Sequence, residues 1–205
     1  MSPSQHAADY LAATSRLAEA VDPEQLDAMA RGLADVRARG GRLFVLGVGG
    51  GAAHASHAVN DFRKLCSIES YAPTDNVAEL TARTNDEGWD TSFSAWLEVS
   101  RLGQNDAVLV FSVGGGSRQH KVSVNLVNAL EAAQTAGAAI FGVVGAPGGA
   151  LARLADVAVL IDPPAPLRTP LVESFQAVVW HALVSHPELA ARQGHWETLS
   201  ARAGL

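Results

Sequence analysis

Apolar residues fall along this chain in two rhythms. From Gln5 to about Arg39 they follow a helical period: Tyr10, Leu11, Leu17 and Ala20 recur near one face, and Asp22-Pro23 reads as an N-cap with proline in the first turn of a second helix. Beyond Arg39 the pattern changes to four short continuous runs, RLFVLGV (42–48), DAVLVFSV (106–113), AAIFGVVG (138–145) and DVAVLID (156–162). Such runs suit strands of a parallel sheet buried on both faces. Helix-like stretches separate them at 52–65, 90–101, 119–136 and 149–155, so strand and helix alternate. The prolines of PPAPLRTP (163–170) predict a rigid extended connector, followed by a helix over 171–186 and another from Pro187. SIESYAP (67–73) is not a convincing strand. The expected fold is α/β: a three-layer α-β-α sandwich around a central parallel sheet, flavodoxin-like or Rossmann-like, preceded by two N-terminal helices. No repeat or linker divides the chain, so one domain is expected over residues 1–205.

Composition narrows the partners. The chain of 205 residues is 48% hydrophobic, enough for a sizeable core, and carries a net charge of −6. An acidic chain without a Lys/Arg face is a poor match to nucleic acid, and Arg63-Lys64 reads as solvated surface. The single cysteine, Cys66, forms no internal disulfide and reads as a buried, inert thiol. No apolar run approaches the roughly 20 residues that span a bilayer, and the N-terminus lacks a secretory apolar core; no membrane partner and a cytoplasmic location are expected. Trp89, Trp96, Trp180 and Trp196 are read as core or subunit contacts.

Two of the strands end alike, in LGVGGGAAH and FSVGGGSRQH. Glycine permits positive φ and close backbone approach, and the helix that follows offers unpaired N–H groups at the positive end of its dipole. Each turn alone is equally a tight strand-to-helix connection. Two together, on neighbouring strands, would face one crevice beyond the carboxyl ends of the sheet and favour a bound anion at Gly49, Gly50, Gly51, Ser112, Gly115, Gly116 and Ser117. A dinucleotide fits less well, because no acidic residue closes a second strand about 20 residues on. Nor does Gly-Lys-Ser/Thr follow either turn, as a P-loop requires.

In order and spacing, GVGGGAAHASHAVNDF, LTARTNDEGWDTSFSAWLE, VLVFSVGGGS, NALEAAQTAGAAIFGVVG and GGALARLADVAVLI resemble the sugar isomerase (SIS) domain of phosphoheptose isomerases, over about residues 8–187. The resemblance implies aldose–ketose isomerisation of a sugar phosphate of the sedoheptulose 7-phosphate type, in heptose biosynthesis, by a homotetramer to which residues 5–40 contribute contacts. It places phosphate at Ser112 and Ser117 and substrate near Asn85 and Asp86. The chain departs from the family at Val48, Gly51, Val113 and Gly114, where side-chain donors are usual. A non-catalytic SIS protein that binds a sugar phosphate or docks on another protein, as initiator-associating members do, is the alternative.

His54, His57 and Asp61 follow at i, i+3 and i+7 and share a helical face. Glu173 and His181, eight residues apart, lie about 80° around a helix at 100° per residue. Histidine and carboxylate suit proton transfer at a carbon beside a carbonyl, and the same groups suit a divalent ion. Each also has a plain structural role open to it, such as a core hydrogen bond or a solvated helix face. The family resemblance gives the finer assignment: Asp61 and His181 for acid–base work, His57, Asp61, Glu173 and His181 around a metal ion such as zinc, and His54 near the ligand. Asp61 stands where the family has glutamate and Glu173 where it has glutamine.

Overall fold

A computed structural model describes residues 3–195 and Thr198. Helices α1 (Pro3–Ala20) and α2 (Pro23–Ala38) precede the sheet, and Asp22 caps α2 by accepting from Glu24 N–H at 2.9 Å. The sheet strands are β1 (Leu43–Gly47), β2 (Ser70–Tyr71), β3 (Ala107–Ser112), β4 (Ala139–Gly145) and β5 (Val157–Ile161). All neighbours pair in parallel, in the order β2-β1-β3-β4-β5. Helices α3 (Gly50–Cys66), α4 (Val77–Asp86), α5 (Ser92–Val99), α6 (Val124–Ala136), α7 (Gly149–Leu154) and α8 (Arg168–Ser185) complete the described regular helices.

The continuous apolar runs are explained by the two cores. On β1 and β3, Leu43, Val45, Leu109 and Phe111 face a core built with α2, α3 and α8, while Phe44, Leu46, Val108 and Val110 face a second core with α5, α6 and α7. A strand covered on both faces has no polar side to alternate with. The three-layer α/β sandwich expected from the sequence is therefore the architecture found, with α1 and α2 packed on one layer through Ala13, Leu17, Met29, Leu33 and Val36.

Several boundaries differ from the expectations. The N-terminal face is Tyr10, Ala13 and Leu17, whereas Leu11 and Ala20 are exposed. Residues 67–73 do contain a two-residue strand, β2, held by its pairing to β1 rather than by any apolar pattern of its own. The helix expected over 90–101 is a 3-10 turn at Trp89–Thr91 leading into α5, and that expected from residue 119 starts at Val124, because Ser117 pairs with Val122 across a short loop. The proline connector ends early: a 3-10 turn at Ala165–Leu167 leads into α8 at Arg168, with Pro170 in its first turn, where a missing N–H is harmless. At Pro187 the chain turns rather than starting a helix, and no helix forms up to Gly194; Trp196 lies outside the described residues. Trp180 is buried, Trp96 packs edge-on to Phe44 at 5.5 Å, and Trp89 is partly exposed against Phe93.

Candidate active site

In this strand order the chain leaves β1 in one direction for β2 and in the other for β3, so the switch point where ligands gather lies between β1 and β3. Both glycine turns follow these two strands. The crevice between them is a cavity of about 310 Å³ lined by Val48, Gly51, Ser112, Gly114, Glu173 and Gln176, among others.

The first turn is open. Gly49 has φ +60° and stands clear of other atoms, and it leads into α3 without a side-chain cap. Gly51 is held close: a Cβ there would come within 2.6 Å of the Phe111 carbonyl oxygen. With that approach, a side chain at position 51 requires the backbone to shift. A Cβ on Gly50 would lie 2.6 Å from the Glu173 carboxyl, so this carboxylate rests against the start of α3, where the helix dipole favours negative charge.

The second turn is bolted down. Gly115 and Gly116 have φ of +73° and +80°, and their carbonyls accept from Leu151 N–H at 2.9 Å and Ala150 N–H at 3.0 Å. Ser112 Oγ accepts from Gly115 N–H at 2.9 Å. Ser117 is turned away: its backbone pairs with Val122, its Oγ accepts from His120 N–H at 3.2 Å, and with Gly116 it lines a different cavity. Of the seven residues expected around an anion, the structure thus brings Gly51 and Ser112 to the crevice; Gly49, Gly50 and Gly115 do not line it, and Gly116 and Ser117 line the other cavity.

On α3, the His57 Nε2 and Asp61 Oδ2 atoms are 3.7 Å apart. His181, on α8, meets His57 edge-on with ring centroids 5.7 Å apart, and Trp180 packs against both rings. Donor atoms of His57, Asp61 and His181 all lie within 4.8 Å of one another. The side chain of His57 is 59% exposed and that of Asp61 13%. His181 Nδ1 lies 2.8 Å from the Ala177 carbonyl oxygen. A carbonyl only accepts, so Nδ1 carries a proton, and in the neutral ring Nε2 holds the lone pair. Two imidazoles and one carboxylate with a fixed ring tautomer form a donor set suited to a divalent ion. Glu173, expected in that set, stands apart from it against Gly50. His54 is half-buried nearby; burial lowers its pKa, with neighbouring His57 and His181 in the same sense and the Glu173 carboxylate opposing.

Asn85 and Asp86 close α4 at the surface, where Asn85 Nδ2 donates to Asp86 Oδ1, and neither lines the crevice. Cys66 is buried and its thiol is pushed up to about 11 by that burial, in keeping with an inert role. Arg63 and Lys64 are exposed, as expected. Gln176 was not legible as a site residue: it is fully buried on α8, and neither its Oε1 nor its Nε2 has a partner. The only signal was its place three residues after Glu173, among apolar neighbours.

Comparison with known proteins places this geometry in context. The chain is 36% identical over 190 residues to the lincomycin biosynthesis protein LmbN of Streptomyces lincolnensis, spanning 87% of this chain and 67% of that protein. It is 31% identical over 159 residues to a probable phosphoheptose isomerase of Thermoplasma volcanium, spanning 75% and 78%. It is 33% identical over 165 residues to the phosphoheptose isomerase of Solidesulfovibrio magneticus, spanning 78% and 76%. No family model matches. Among solved structures, the phosphoheptose isomerase of Neisseria gonorrhoeae superposes with a TM-score of 0.76 at 24% identity, over 89% of this chain and 98% of that one, a likeness of fold.

Proposed function

This chain belongs to the phosphoheptose isomerase family and is a sugar-phosphate isomerase, and we propose that it interconverts D-sedoheptulose 7-phosphate and an aldoheptose 7-phosphate in the crevice between β1 and β3. The observation that carries the reading is the meeting of His57 and Asp61 from α3 with His181 from α8, the two helices whose Gly51 and Glu173 line the crevice at the topological switch point.

Isomerisation moves one proton between adjacent carbons and another between their oxygens. Asp61 takes the proton from the carbon beside the carbonyl and returns it to the neighbouring carbon. His181 Nε2, with its lone pair kept free by the Nδ1–H contact to Ala177, takes the hydroxyl proton and delivers it to the carbonyl oxygen. His57 packs against Trp180, which orients the ring toward Asp61 and His181. The phosphate sits at the mouth of the crevice, on the exposed Gly49 and Gly114 backbone and Ser112. His54 lies beside the ligand.

His57 and Asp61 would hold a divalent ion, with zinc best matched to the donors, while His181 Nε2 beside them stays free for proton transfer. When bound, such an ion polarises a carbonyl oxygen. Leu11 at 66% exposure and Val178 at 53%, the latter on α8 near His181, support a homotetramer whose subunits cover the open side of the site. No helix among the described residues is long and apolar enough to cross a membrane, and we place the enzyme in the cytoplasm. Incubated with sedoheptulose 7-phosphate, purified protein should form an aldoheptose phosphate by NMR and lose the activity with chelator. No turnover of any heptose, hexose or pentose phosphate would remove the isomerase reading.

A further inference from the structure

The geometry points to Gln176 as a residue that reads a hydroxyl group of the sugar, holding the polyol rather than the phosphate at the floor of the β1–β3 crevice. The proposal rests on the sugar-phosphate reading above and adds a residue and a direction to it. Gln176 stands in the wall of the cavity of about 310 Å³ at 0% exposure and has neither amide atom bonded to protein, so a ligand reaches the amide as the wall gives way around it. Buried side-chain amides are nearly always partnered, because stripping water from both a donor and an acceptor is costly. The walls beside it are largely apolar, with Val48, Phe111, Val113 and Leu126 offering nothing.

The unmet atoms specify the partner. Phosphate oxygens act as acceptors at neutral pH, so phosphate would satisfy Nε2–H and press negative charge on Oε1. Glu173, one turn earlier on α8 and lining the same cavity, adds a carboxylate that repels phosphate further. A hydroxyl donates and accepts, and so do the two oxygens of a vicinal diol; either matches Gln176 at both ends, and Glu173 accepts a second hydroxyl proton. The burial gradient agrees, with Gln176 enclosed and Gly114 exposed. The phosphate therefore stays at the mouth, and the hydroxylated carbons reach inward.

Calorimetric titration tests this with two probes, sedoheptulose 7-phosphate and inorganic phosphate. Gln176→Met keeps the length and removes both hydrogen-bonding atoms. It should weaken the sugar phosphate by about tenfold or more, from the loss of two hydrogen bonds, leave inorganic phosphate within about twofold, and raise KM more than it lowers kcat. Unchanged sugar-phosphate affinity in a folded variant, or equal weakening of both probes, overturns the proposal. On the wild type, which needs no variant to fold, a series of monodeoxy sugar phosphates should show one position whose removal costs about tenfold; a flat series overturns it as well. Wild-type protein that binds sedoheptulose 7-phosphate without converting it would count against the isomerase reading alone, whereas conversion with Gln176→Met unaffected counts against this proposal alone.

Discussion

The two glycine turns are nearly the same in sequence, VGGGA and VGGGS, and the fold uses them in opposite ways. At the first, Gly49 opens a 17-residue helix and stands clear of other atoms. At the second, the backbone is clamped: a Cβ on Gly115 would lie 1.8 Å from the Gly148 carbonyl oxygen, and one on Gly149 would lie 2.4 Å from that of Gly114. One turn is an open helix start. The other joins two loops at the ends of β3 and β4. A glycine run shows that backbone must approach something closely, and only the fold says whether that something is a ligand or more backbone.

Substitutions separate the two turns. Gly115→Ala meets both a positive φ of +73° and the Gly148 carbonyl, so it should cost at least about 3 kcal/mol in urea unfolding. Gly49→Ala meets only the strain of φ +60° in open space and should cost about 1–2 kcal/mol by the same measurement. Equal costs would mean that the turns are not held differently.

Gly51→Ser, which restores the hydroxyl usual in the family, places its Cβ against the Phe111 carbonyl at 2.6 Å and should lower stability by about 1–3 kcal/mol without improving KM. A tighter KM with no loss of stability would show that the turn relaxes easily.

The smallest effect lies at the opposite end of the strands, where Asp106 precedes β3. Burial disfavours the Asp106 carboxylate, but the Arg42 side chain and the backbone N–H groups of Arg42 and Gly103 outweigh it and hold its pKa below the ordinary value of 3.8. The folded chain then resists a proton that the unfolded chain accepts, so this contribution is complete above about pH 4 and is lost as pH falls below it. Asp106→Asn should flatten that acid loss in thermal unfolding and leave the KM of the isomerase unchanged.

Most of the fold was legible because a strand buried on both faces is apolar almost throughout, as β1, β3 and β4 are, and β5 at the sheet edge is apolar too although Leu160 is exposed. β2 was not, since two residues carry no pattern and are ordered by their neighbour. Of the candidate site, His57 and Asp61 could be read from helical spacing, as spacing fixes a shared face, whereas His181 was joined to them only by the family resemblance and Glu173, which spacing paired with it, stands apart. Separating Ser112 from Ser117 could not, because the Ser117–Val122 pairing that turns Ser117 away is a tertiary choice between loops. Nor could the position of Glu173, whose carboxylate depends on the crossing of α8 over the start of α3.

The account stands on α3 and α8 forming one proton-transfer site. Its most direct test is the NMR-followed rate of sedoheptulose 7-phosphate isomerisation by wild type, Asp61→Asn, His181→Ala and the double variant. General acid–base groups contribute about 10²–10⁴-fold, so each folded single variant should lose at least about 100-fold, and the double variant little more than the worse single one. Either single variant turning over at the wild-type rate would contradict it.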